Sequence, residues 1–255
     1  MENPRAPIAR YLRERREAAG MTRAALSESA GISPGLIQKI EQGTRMPTLE
    51  ALTALFTALA VPEMIRDHLV SLSLADRYDP APPTLVRRTD QALVDGISHP
   101  ASLQLHPTFH IAADNAAWRR LFPGLEVGDS MLAWMLLDPR AKTVLVDWEQ
   151  QTHLCAYAFR VMGPGLETQA RIAELVELCS RAPEWERLWT TEPESTYELD
   201  DPVVRCRDPR TGEVTTMSIH SLGASLMPRR DWSLVVYSPR PERPRKAPRR
   251  PQTDG

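Results

Sequence analysis

The stretch from Met21 to Gly43, MTRAALSESAGISPGLIQKIEQG, constrains this chain more than any other. Thr22 stands where it can cap a first helix that turns Leu26 and Ala30 inward. Gly31 then takes a corner whose backbone a residue without Cβ enters at no steric cost. Ser33 caps a second helix, Pro34 fills its first position, where no backbone donor is needed, and Ile37 and Ile40 face back into a core. Two short helices around a tight turn make a helix-turn-helix, and the second of them fits a DNA major groove.

The flanks extend this unit into a small helical domain. Ile8 to Ala19 reads as a helix with Ile8, Leu12 and Ala19 on one stripe and Arg10, Arg13, Arg15, Arg16 and Glu17 outside it, and Gly20 stops it. A fourth helix is expected from Thr48 to Ala60, with Leu49, Leu52, Leu55, Phe56 and Leu59 inward. A fifth runs from Pro62 to Leu74 on Ile65, Leu69 and Leu72. Residues 1–75 are therefore assigned to a DNA-binding domain. Residues 76–90, with Pro80, Pro82 and Pro83 close together, read as a semi-rigid linker.

Beyond the linker the pattern changes to α+β over residues 91–238. A hairpin is expected around His106-Pro107, from Leu103, Leu105, Phe109 and Ile111. Asp114 then caps a helix through Phe122, Met131–Leu137 is a short helical run, and Asp138-Pro139 starts a long helix reaching Met162. Further helices follow at Thr168–Ser180 and from Pro183, and strands at Pro202–Arg207, Val214–Ile219 and Trp232–Tyr237. The tail 239–255 is rich in proline and arginine and is read as a basic, disordered arm or a solvated end.

Charge divides the same way. The net charge of −2 over 255 residues splits into +1 for 1–75, −7 for 76–238 and +4 for 239–255. The acidic middle is no surface for nucleic acid, so DNA contact falls to the two ends. No apolar run approaches the length of about 18 residues that a membrane helix needs, and the N-terminus has no signal-peptide core, so a cytoplasmic protein without membrane association is expected. The three cysteines, Cys155, Cys179 and Cys206, are widely spaced and read as reduced, buried thiols.

Segment 8–60 resembles the XRE (Cro/repressor-like) family almost throughout GISPGLIQKIEQGTRMPTLEALTALFTAL. The resemblance implies a five-helix, lambda-repressor-like fold, double-stranded DNA as partner, and a homodimer, since one helix-turn-helix contacts too few base pairs alone. It also implies which residues meet DNA. Ser33, Pro34, Gly35, Gln38 and Lys39 lie at the exposed start of the second helix, with Gln38 suited to adenine and Lys39 to guanine or a phosphate. Arg23 and Arg45 are placed against the backbone as phosphate contacts. Pro34 and Gly35 carry no hydrogen-bonding side chain, so base readout is expected to be sparse and supplemented by DNA shape.

From Leu85 to Pro239 the chain looks like the ligand-binding domain of MmyB-like transcription regulators, on AADNAAW, LLDPRAKTVLVDWEQQTHLCAYAFR, ARIAELVELCSRAPEWERLW and WSLVVYSP. The resemblance implies a PAS-like α+β fold and a fatty-acid-like ligand. Aromatics concentrate in this region, and Trp118, Phe122, Trp134, Trp148, Tyr157, Trp185 and Trp189 are the candidate pocket lining, with Arg160 as candidate partner for a carboxylate. A fourteen-carbon chain buried at about 0.8 kcal/mol per CH₂ would gain roughly 11 kcal/mol gross, enough to outweigh several kcal/mol of association cost. The same aromatics also suit a solid core, and then the domain is a protein-interaction or dimerisation module without a small ligand. No catalytic residues, metal site or other cofactor is assigned: the chain has no P-loop, GxSxG, HExxH or GxGxxG, and its six histidines lack ligand spacing.

Overall fold

A computed structural model of the chain describes residues 5–63, 65–66, 69–70, 86–194, 202–223 and 232–240. Leu72, most of the 76–90 linker and nearly all of the 239–255 tail lie outside the described residues.

The N-terminal part is helical: α1 (Arg5–Ala18), α2 (Arg23–Ala30), α3 (Pro34–Glu41) and α4 (Leu49–Ala58), with residues 63, 65, 66, 69 and 70 also helical. The starts of α2, α3 and α4 are set locally. The hydroxyls of Thr22, Ser33 and Thr48 accept hydrogen bonds from the amides of Ala25 (3.1 Å), Leu36 (3.3 Å) and Ala51 (3.2 Å), each satisfying one orphan donor of a first turn. Gly31 ends α2 at φ +67°, the left-handed corner the turn requires. Ile8, Leu12, Leu26, Ile37, Ile40, Leu52, Leu55, Phe56, Ile65 and Leu69 form the core.

Three expectations are corrected here. Ala19, placed on the inner stripe with Ile8 and Leu12, is exposed just past the end of α1. Leu49 is 60% exposed, because it is the first residue of α4 and its side chain lies beyond the stripe that Leu52 begins. Arg16, expected outside, is buried. Its Nε donates to Glu41 Oε1 at 2.6 Å, its Nη2 to Glu41 Oε2 at 3.2 Å, and its Nη1 to the Met21 carbonyl at 2.9 Å. A charge is tolerated in a core only when so paired and hydrogen-bonded.

The second part is a five-stranded antiparallel sheet with helices inserted between its second and third strands. The strands are β1 (Ala101–Leu105), β2 (His110–Asp114), β3 (Val203–Arg207), β4 (Val214–Gly223) and β5 (Trp232–Pro239), in the order β2-β1-β5-β4-β3. Sequence-adjacent hairpins sit at the edges and β5 closes the centre, pairing β1 from Ala101↔Val236 to Leu105↔Trp232 and β4 from Met217↔Pro239 to Gly223↔Ser233. This is the mixed α+β arrangement expected from the sequence. The helices are α5 (Arg88–Asp95), which starts within the stretch read as linker, then α6 (Ala116–Leu121), α7 (Met131–Leu137), α8 (Pro139–Val144), α9 (Trp148–Leu166), α10 (Gln169–Cys179) and α11 (Trp185–Thr190).

One sheet face, carrying Ile111, Val204, Cys206, Val235 and Tyr237, packs on Trp118, Phe122, Met131, Trp134 and Val144. On the other face Ala101, Leu103 and Trp232 meet Val94 of α5. The helix cap after β2 is Asn115, not Asp114. The Asn115 amide oxygen accepts from Ala101 N (3.2 Å) and Trp118 N (2.8 Å) while its nitrogen donates to the carbonyls of Val94, Ile97 and His99. A carboxylate at this point could accept but not donate, and the carbonyls of Ile97 and His99 would lose this donor, while that of Val94 keeps the Ile97 amide. The long helix expected from Asp138 to Met162 is broken at Leu145–Val146. Leu145 bridges Cys206, and Val146 N donates to the Arg205 carbonyl at 3.0 Å, so the chain there is drawn into the edge of the sheet.

The helical core of the first domain is not closed on itself. Tyr157, Ala158 and Met162 of α9 belong to the same apolar cluster as Ile8, Tyr11 and Leu12 of α1. Phe109, at φ +55° in the β1–β2 turn, packs against this cluster and against both helical clusters of the second domain.

Candidate nucleic-acid interface and candidate ligand-binding region

Helix α3 separates two functions by face. Ile37 and Ile40 are 1% and 2% exposed, while Ser33, Pro34, Gly35, Gln38 and Lys39 are exposed. The five base-side candidates therefore share the outward side of one helix start. Arg45 is exposed just beyond, where its amide donates to the Lys39 carbonyl at 3.2 Å. Arg23 is placed differently. Its Nε donates to Glu41 Oε2 at 2.7 Å, so it is the second guanidinium on the carboxylate that Arg16 also holds, although 43% of its side chain remains exposed. Burial alone would raise the Glu41 carboxyl, but the hydrogen bonds and charges of Arg16 and Arg23 outweigh it and hold it below the usual carboxylate range.

An open cleft of about 580 Å³ lies between α2 and α4, lined by Ser29, Ala30, Leu49, Glu50, Thr53, Ala54 and Thr57. None of the expected DNA or ligand contacts line it. Its shallow, solvent-facing form offers nothing that would hold a small molecule against water.

The expected pocket residues fall into three groups rather than one lining. Trp118, Phe122 and Trp134 come together with Tyr237 on the sheet, with ring centroids 4.6 Å apart for Trp118–Phe122, 5.7 Å for Phe122–Trp134 and 5.4 Å for Trp118–Tyr237. Trp148 stands beside them, its indole donating to the Met135 carbonyl at 2.6 Å and Lys142 Nζ lying 4.3 Å from its ring. Trp185 and Trp189 instead stack on each other at 4.8 Å, with Phe159 5.8 Å from Trp189, in the core between α7, α9, α10 and α11. Tyr157 and Arg160 lie at the seam with α1. Tyr157 Oη is 3.5 Å from Tyr11 Oη, and Arg160 sits 5.4 Å over the Tyr157 ring while donating to the Trp189 carbonyl. Arg160 is thus engaged with protein groups.

Buried polar atoms without a hydrogen-bond partner include Thr108 Oγ1 and His110 Nδ1, which the sequence did not single out, and Trp118 Nε1 and Arg160 Nε, which belong to the candidate pocket residues. Burial lowers the affinity of His106 for its proton, and burial with the Arg171 charge does the same to His110, so both environments favour the neutral ring. The cysteines are free; burial pushes Cys179 and Cys206 up to about 12 and Cys155 higher still. Such thiols are poor nucleophiles. Among the described residues no cluster of His, Cys, Asp or Glu could hold a metal ion, and no helix is long and apolar enough to cross a membrane.

A capped helix-turn-helix ahead of an antiparallel α+β domain defines a DNA-binding protein with an appended second domain of another kind. Residues 7–69 match a helix-turn-helix domain model, and residues 86–250 match the model of the MmyB-like transcription regulator ligand binding domain. The second match covers more than half of the chain, and the chain belongs to that family: it is a transcription regulator with an N-terminal DNA-binding domain and a C-terminal ligand-binding domain. No curated protein matches it.

Proposed function

We propose that this regulator recognises its operator as a homodimer through the start of α3, and that its second domain takes a small apolar, fatty-acid-like ligand. The observation that carries the DNA reading is the division of α3 into a buried face of Ile37 and Ile40 and an exposed face of Ser33, Gly35, Gln38 and Lys39. Two copies supply two half-sites one helical turn apart or a multiple of it. Gln38 reads a base edge, whereas Arg45 holds phosphate. Selection from random DNA followed by shift assays tests this, and binding without sequence preference overturns it. Gln38→Ala is expected to relax preference at one base position by about 1–3 kcal/mol, and Arg45→Ala to weaken all sites alike and lower the salt slope by about 1. Identical profiles for the two variants would remove the division of roles. Arg23 is the poorer phosphate probe, because removing it also disturbs Glu41.

The ligand reading rests on family membership and on the aromatic concentration around Trp118, Phe122, Trp134, Trp185 and Trp189. The specific observation favouring the other reading, a solid interaction module, is that these rings pack on one another, Phe122 and Trp134 edge to face and Trp185 and Trp189 stacked, so an acyl chain must part them to enter. Native mass spectrometry of the purified chain separates the two: a co-purifying acyl species supports the sensor, and a mass equal to that of the protein alone, unchanged after incubation with a C14 fatty acid, supports the module.

A further inference from the structure

The seam between α1 and the second domain carries more than apolar contact. Arg15 Nε donates to the Leu59 carbonyl at 3.3 Å, which ties the side chain to the end of α4, and Arg15 Nη1 reaches Glu192 Oε2 at 3.2 Å. The other oxygen of the same carboxylate, Glu192 Oε1, accepts from Arg160 Nη2, also at 3.2 Å. One carboxylate therefore stands between two guanidiniums that belong to different domains. The side chains of Arg15, Arg160 and Glu192 are only 20%, 21% and 32% exposed, so this is a half-buried junction rather than a solvated surface pair.

The position of Glu192 is inherited from α11. That helix ends at Thr190, is held by the Trp185–Trp189 stack, and is tied to α9 again through Thr191, whose Oγ1 and carbonyl lie 3.1 and 3.2 Å from His153 Nε2. On the far side, Arg15 is followed in α1 by Arg16, which grips Glu41 at the end of α3. A continuous line of packed and charge-bonded groups thus runs from the aromatic core of the second domain to the DNA-reading helix.

We propose that Glu192 is the positioning residue that locks the DNA-binding domain in one orientation on the ligand-binding domain, through Arg15 on one side and Arg160 on the other. The lock rests on the DNA-reading role of α3 for its consequence, but not on any ligand. Motion of α11 withdraws Glu192 from Arg15 and frees α1, and with it the angle at which α3 is presented. Without the carboxylate the two arginines repel one another, which disfavours the closed junction.

The test uses the full chain with spin labels at S29C and V127C, both exposed sites, one on each domain. Cys155, Cys179 and Cys206 are replaced by alanine in every labelled chain, so that only the introduced pair carries label. Electron–electron resonance is expected to give one narrow inter-label distance in the parent chain. Glu192→Gln and Arg15→Gln should each at least double the width of that distribution, and the double variant should add no further width, the signature of two residues acting through one contact. Glu192→Asp, with a shorter arm, should fall between. Glu194→Gln, exposed and two positions on, should leave the distribution unchanged. An unchanged width in Glu192→Gln with an intact circular dichroism spectrum overturns the proposal, as does broadening in Glu192→Gln but not in Arg15→Gln. Because the readout needs no DNA, it stands or falls separately from operator recognition.

Discussion

Glu41→Ala is expected to lower the stability of the N-terminal domain by about 3–5 kcal/mol, because it leaves the Arg16 guanidinium buried without its counter-charge. Arg23, nearly half exposed, can turn to solvent, so the cost falls on Arg16. All six tryptophans lie at Trp118 or later, so tryptophan fluorescence follows the second domain alone while far-ultraviolet circular dichroism follows both. Urea titration of the variant should therefore show the helical signal lost first, ahead of a fluorescence transition that moves less. Coincident, unshifted transitions would show that the triad contributes nothing. The pH dependence has a definite sign. Glu41 is depressed in the fold, so its stabilisation is fully present above the unfolded carboxylate value of about 4.3 and is lost as pH falls through the lower folded value. In Glu41→Ala that acid-side loss should disappear from the helical transition.

The second large effect is expected at Trp118. This side chain of α6 is fully buried against β5, in ring contact with Phe122 and Tyr237, and its amide donates to the Asn115 cap. Trp118→Ala should cost about 3–5 kcal/mol, the range for emptying a packed aromatic site. Denaturation followed by the remaining tryptophans measures it. A loss under about 1 kcal/mol would mean that the space around Trp118 is normally shared with a guest, and would favour the ligand reading over the solid module.

What the sequence made legible is what neighbours along the chain decide. Thr22, Ser33, Thr48 and Thr168 all act as the caps their types suggest, because a hydroxyl and the amide three residues on are brought together by the helix itself. The β1–β2 hairpin around His106-Pro107 and the strand at Trp232–Tyr237 were legible from local apolar runs, although Phe109 lies in the turn and β5 reaches Pro239. Arg16 was unreadable because its partner lies 25 positions away, and helical periodicity sorts a charge outward whether or not a carboxylate waits inside. The break at Leu145–Val146 had only a weak local signal: Thr143, Val144 and Val146 are β-branched and disfavour a helix, but no Gly or Pro stops one, and pairing with Arg205 and Cys206, far down the chain, is what draws the backbone out. Nor could composition separate the two aromatic groups, since it counts rings without saying which of them touch. The seam residues Tyr11, Tyr157 and Glu192 have no local signal at all.

The sharing of Tyr157, Ala158 and Met162 with the α1 core bears on how such a chain can be divided or recombined. A reading head cut out at the proline-rich stretch would carry a bare apolar scar where α9 had lain, and the remainder would carry its mirror image. Exchanging the head for that of another regulator would need a matching scar on the newcomer. The two halves are therefore less like beads on a string than like two boards planed to one joint.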